Sequence, residues 1–129
     1  MSEKKPPSSF DFYLGTEFLV YETGTAEVEL EITRDHLNIG GSVHGGIISS
    51  LCDIALSAAA TSLFIDGAER VVTMNMSVSF LKPGKLGEKL KAYGEVIKKG
   101  STILYIEGGV LNSKGDLIAK ATGNWFVKK

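Results

Sequence analysis

Between Glu27 and Ile32 acidic and apolar residues alternate, Glu27, Glu29 and Glu31 against Val28, Leu30 and Ile32. A period of two predicts a strand with one face buried. The stretch EFLVYETGTAEVELEIT, residues 17–33, reads as two such strands turning around Gly24. RDHLNIGGSVHGG then breaks the pattern, and its four glycines predict a loop. From Ile47 to about Phe64 the spacing becomes helical. Ile47, Leu51, Ala55 and Ala58 form one stripe, flanked by Ile48 and Ile54.

After a turn at IDGAER the period returns to two. Val72, Met74, Met76, Val78 and Phe80 alternate with Thr73, Asn75, Ser77 and Ser79, which predicts a strand with those five on its apolar side. KPGKLGE interrupts it. LKAYGEVIKKG, STILYIEGGVL and LIAKATGNWFVKK supply three more strands, the last with Leu117, Ala119, Ala121, Gly123, Trp125 and Val127 on one side. One long helix beside about six mostly antiparallel strands predicts an α+β fold with the sheet wrapped on the helix. An open sheet with the helix on one face fits the periodicity equally. Residues 1–9 read as a flexible leader and 10–129 as a single domain.

Composition narrows the class. At 129 residues the chain is long enough to bury a core, and 43% hydrophobic and 22% charged residues with a net charge of −1 are ordinary. Neither nucleic acid nor a membrane is implied as partner. No apolar run approaches the ~20 residues that span a bilayer, and MSEKKPPSSFDFY has no apolar signal core, so a cytoplasmic chain is expected. Cys52, the lone cysteine, excludes an intrachain disulfide. With only two histidines no closed zinc site is expected, and no metal. Charge is uneven, however. Residues 11–35 hold seven acids against Arg34, and residues 82–99 hold six lysines against Glu88 and Glu95. Solvated strand faces explain this on composition alone. The sharper reading is a basic patch for a small polyanion.

Chemistry concentrates at the helix. Asp53 shares a face with Gly46, Ser49, Ser50, Ser57 and Ala60, nearly opposite the Leu51 stripe. It lies too far into the helix to cap it, so it needs another reason to be there. Gly45 and Gly46 leave unblocked N–H groups at the positive end of the helix, a place that can stabilise an oxyanion. About 10–12 Å separates that end from Asp53 by the ~1.5 Å rise per residue. The two can meet on one atom if a second copy of the helix lies antiparallel alongside, which implies a homodimer with shared sites. Rival motifs are missing: no G-x-S-x-G elbow, no phosphate-binding loop and no G-x-G-x-x-G after a strand. Cys52 reads as a buried, inert thiol.

Asn38, then HGG at His44–Gly46, then Asp53 nine positions after the histidine, resembles the PaaI-type hotdog-fold acyl-CoA thioesterases. MNMSVSFLKPGKLGEKL and VIKKGSTILYIEGGVLNSKGDLIAKATGNWFV extend the likeness, which covers about Phe10 to Val127. The resemblance implies a hotdog fold: a central helix wrapped by antiparallel sheet, protomers joined sheet edge to sheet edge, and a dimer of dimers. It implies Asp53 as catalytic carboxylate, acting on water or on the thioester directly. The Gly45 amide of the other protomer would polarise the carbonyl. Asn38 would orient water or thioester, Thr73 would position the water, and His44 would shape the loop. Gly46, the turn Lys82, Pro83, Gly84, Lys85 and the segment Lys98, Lys99, Gly100, Ser101 match places that hold coenzyme A, the expected partner for the lysine excess. No cofactor is implied beyond coenzyme A within the substrate. Each residue also has a plainer reading: an Asx-turn for Asn38, a backbone contact for His44, an outward strand position for Thr73. The expected activity is hydrolysis of an acyl-CoA. A non-catalytic acyl-CoA sensor and a hydratase or dehydratase, with His44 and Asp53 as its only candidate pair, are the alternatives.

Overall fold

The structure, a computed structural model, describes residues 9–64 and 70–128. The expected leader, all but Ser9, and most of the expected turn at 65–70 lie outside the described residues. The elements are α1 (Ser9–Leu14), β1 (Glu17–Glu22), β2 (Thr25–Glu31), α2 (Gly45–Thr61), β3 (Arg70–Phe80), β4 (Lys89–Lys99), β5 (Ile103–Leu111) and β6 (Leu117–Lys128). The periodicity assigns no element to Phe10–Leu14, and a single helical turn and a half forms there. The expected loop before α2 contains a short 3-10 turn, Arg34–His36, and ends two residues early, because Gly45 and Gly46 already belong to the helix.

All five strand pairings are antiparallel, in the order β1-β2-β4-β5-β6-β3. This sheet wraps the helix, which settles the choice left open by periodicity. Burial on α2 reaches beyond the expected stripe. Ile48, Cys52, Leu56 and Ala59 are buried with Leu51, Ala55 and Ala58, while Ile47 and Ile54 are only half-buried. The helix therefore turns most of its circumference to the sheet and leaves the Asp53 side open. By length and mean hydropathy (20 residues, 1.7) Gly45–Phe64 does suffice to cross a bilayer, contrary to the expectation above, but half of it is buried inside this fold. Trp125, Leu30, Leu51, Leu56, Leu104 and Ile106 are fully buried, each stabilising the fold by roughly 1.5–3 kcal/mol. Close contact is enforced at Gly94 of β4, where a Cβ would stand 2.7 Å from the Ala55 carbonyl oxygen and 2.9 Å from Leu56 Cα.

Part of the uneven charge is answered across β2 and β4. Lys91 lies 3.6 Å from Glu27, and Lys89 lies 3.9 Å from Glu29, on the face away from the helix. Two acids of the first block and two lysines of the second thus face each other because these strands are neighbours. Such half-exposed pairs contribute little, about 0–1 kcal/mol each.

Candidate active site

β3 departs from the expected alternation. Its register against β6 shifts between Thr73 and Asn75, so Met74 is a bulge. A bulge adds one residue and reverses the side to which the following residues point. Thr73 therefore pairs with the buried Trp125 on the helix-facing side, together with Met76 and Val78, while Val72 and Met74 are 53% and 52% exposed. Neither the five-residue apolar face nor the outward Thr73 of the sequence reading survives.

That reversal brings Thr73 to Asp53. Thr73 Oγ1 donates to Asp53 Oδ1 at 2.9 Å. Ser57, one turn further along α2, donates to the same oxygen at 3.1 Å. Trp125 Nε1 donates to Ser57 Oγ at 2.9 Å. Among the described residues nothing donates to Oδ2, and the carboxylate is half-buried on the open side of the helix. Sequence reasoning singled out neither Ser57 nor Trp125 as site residues. The tie between them, 68 positions apart, has no local signal.

The second group lies at the start of α2. His44 is the N-cap, and its Nδ1 accepts the Gly46 N–H at 2.8 Å. The Gly46 amide is thereby occupied, and a Cβ there would press on the His44 ring, 3.0 Å from Nδ1. His44 thus makes the backbone contact of its plainer reading. The Gly45 N–H meets no acceptor among the described residues. It opens on a cleft of about 360 Å³ lined by Asn38, Val43, Ile48, Phe80, Lys82 and Gly84, among others. Phe80 is missed by sequence reasoning, yet its ring lies beside Gly45. Asn38 Oδ1 accepts the N–H groups of Gly40 (2.9 Å) and Ser42 (3.1 Å), an Asx-turn that holds the cleft's rim.

The expected coenzyme A residues fall into two separate places. Lys82, Pro83 and Gly84 border the Gly45 cleft, and Lys85 follows on the exposed turn. Lys82 is held by Asp116 at 2.6 Å, and this bond holds the Asp116 carboxyl below its ordinary value. Lys98, Lys99, Gly100 and Ser101 form the far end of β4 and its turn, about 30 Å away by the ~3.3 Å strand rise. The Lys99 ammonium sits 5.2 Å from the centre of the Phe64 ring. Strand register ties the far end to Asp53, because Thr73, Trp125, Leu104 and Lys99 stand in one row across the sheet. Within one chain, then, Thr73, which holds Asp53 of mid-α2, stands in one row with Lys99, while Gly45, Asn38 and Lys82–Gly84 gather at the start of the helix. Cys52 is fully buried. Burial first, and Asp53 second, push its thiol up to about 12, so it offers no nucleophile. Among the described residues no three His, Cys, Asp or Glu side chains gather as a metal site.

A helix wrapped by one antiparallel sheet, with an acid on the open side and a glycine amide at its start, defines the hotdog-fold thioesterase class. Residues 40–119 match the family model of the Thioesterase superfamily, to which the chain belongs, and its type is that of the PaaI proteins. It is 31% identical to acyl-coenzyme A thioesterase 13 of Homo sapiens over 121 residues, 93% of this chain and 80% of that one. The PaaI protein of the E. coli phenylacetic acid degradation operon superposes with a TM-score of 0.87 at 26% identity, covering 92% of this chain and 83% of that one. A thioesterase protein of Streptococcus pneumoniae, solved with coenzyme A, gives 0.82 at 29% identity, covering 97% and 95%.

Proposed function

We infer that the chain is an acyl-CoA thioesterase whose sites form across a homodimer. The single observation that carries this is the split of the site: the unoccupied amide opens the helix at Gly45, and the acid lies eight residues further along it, about 12 Å away by the ~1.5 Å rise per residue. β3 is an edge strand of eleven residues paired only with β6 among the described residues. Its exposed Val72, Met74 and Phe80 suit a covered edge. Antiparallel pairing of β3 with its copy brings each protomer's Phe80 and Gly45 beside the partner's Thr73 and Asp53, making two sites. It also joins the two lysine-bearing segments that one chain holds apart. A pair of such dimers makes the expected tetramer, and the single buried thiol suits the cytoplasm.

In this reading the thioester carbonyl oxygen takes the Gly45 N–H, with Asn38 beside it. Thr73, having given its hydrogen to Asp53, keeps lone pairs that hold a water. Asp53 Oδ2 takes a proton from that water as its oxygen bonds to the carbonyl carbon. When the carbon–sulfur bond breaks, the thiolate leaves and recovers the proton, giving a carboxylic acid and free coenzyme A. No cofactor enters. The relative named as an acyl-coenzyme A thioesterase and the neighbour solved with coenzyme A support the substrate class. The test is thiol release over a panel of acyl-CoAs, with Asp53→Asn as control. Release by the wild type and its near-complete loss in the variant, with the dimer intact by light scattering, is the expected result. Binding without release, or hydration of an enoyl-CoA instead, refutes it.

A further inference from the structure

Trp125, Ser57 and Asp53 form a chain whose direction is fixed by chemistry. An indole N–H donates and cannot accept. Trp125 Nε1 lies 2.9 Å from Ser57 Oγ, so that oxygen must accept, and the serine's own hydrogen has to point elsewhere. Two acceptors stand within reach: Asp53 Oδ1 at 3.1 Å and Thr73 Oγ1 at 3.4 Å. The shorter contact is to a charged acceptor, which makes the stronger bond. Thr73 also donates to Oδ1, at 2.9 Å. One carboxylate oxygen is then filled by two O–H donors and the other is left for chemistry. The anchor is rigid, because Trp125 is fully buried in the core and paired in the sheet with both Thr73 and Leu104.

We propose that Ser57, oriented by the buried indole of Trp125, is a positioning residue that fixes the Asp53 carboxylate through Oδ1 and makes Oδ2 the reacting oxygen. The inference rests on the thioesterase reading and adds to it which carboxylate oxygen reacts and what holds it in place. The catalytic acid thereby takes its orientation from the rigid interior of the sheet as well as from its own helix. Ser57 never touches substrate. Its effect belongs to the chemical step and not to binding, since a carboxylate free to rotate spends less time aligned with the water.

Trp125 is the chain's only tryptophan, so one indole N–H resonance reports on the chain of bonds without any substrate. The experiment compares wild type, Ser57→Ala, Ser57→Thr, Asp53→Asn and the Ser57→Ala/Asp53→Asn double variant, all well below their measured melting midpoints. The expected result is a kcat about 10–100-fold lower in Ser57→Ala with KM within about twofold of wild type, and recovery in Ser57→Thr, which keeps the hydroxyl. In proton–nitrogen spectra, Asp53→Asn should shift the Trp125 indole resonance when Ser57 is present and leave it unmoved when Ser57 is alanine. Wild-type kcat in Ser57→Ala beside an inactive Asp53→Asn overturns this proposal alone. So does an indole shift that is the same with and without Ser57. A wild type that releases no thiol overturns the thioesterase reading and this proposal together.

Discussion

Gly45→Pro removes one backbone hydrogen from the proposed site and little else. Gly45 opens α2, where proline is well tolerated. The residue before it, His44, already has φ −61° and ψ 136°, the extended conformation that a following proline demands. A Cβ at this position meets nothing nearer than Phe80 Cε1, at 3.6 Å. The lost N–H has no acceptor among the described residues, so the fold gives up no internal hydrogen bond. Loss of one oxyanion donor lowers kcat by about 10²–10³, or about 3 kcal/mol. The variant also tests whether the site is shared. Gly45→Pro and Asp53→Asn each spoil both sites of their own homodimer. When their subunits are exchanged at equal amounts, about half of the dimers are mixed. Each mixed dimer rebuilds one site of two, from the Asp53 of one protomer and the Gly45 of the other, so about a quarter of wild-type thiol release returns. The assay is thiol release on the mixture, and on mixed dimers isolated with two tags, where about half returns. Isolated mixed dimers without activity refute the shared site.

Two further outcomes follow from the packing. Gly94→Ala drives a methyl into the backbone of α2, where no side chain can rotate away, and costs about 1–3 kcal/mol. Calorimetry should read this as a melting midpoint about 4–12 °C lower; a midpoint within a degree of wild type refutes the contact. Cys52, with its thiol pushed up to about 12 by burial, should resist a thiol reagent at pH 8 until denaturant is added, then take up one equivalent. Because that value lies above the free thiol's, its contribution to stability is present at neutral pH and is lost as pH climbs toward about 12. Full labelling of the folded protein within seconds refutes the burial.

Much of this architecture is legible in the order of residues because it is local. The alternation in β2 and the helical spacing of α2 depend on which way each side chain points relative to its near neighbours, and periodicity records that directly. Asp53 stands out for the same reason, as an acid on a face of small residues. The bulge at Met74 is not legible. Val72 to Phe80 reads as an unbroken alternation, and only pairing with β6 inserts the extra residue that turns Thr73 inward. Nor does residue order show that four members of the charge blocks answer one another across β2 and β4.

Residue order alone carries the six strands, the long helix, the α+β class and most of the candidate residues, though not α1. Which of them meet is set by the folded chain. It joined Trp125 to Ser57 and Thr73 to Asp53, and it left the Gly45 amide at the start of a helix that carries Asp53 at its middle. The difference is one of range: periodicity reflects the pointing of side chains within a few residues, whereas a hydrogen bond across the sheet depends on strand register, which the whole chain sets at once.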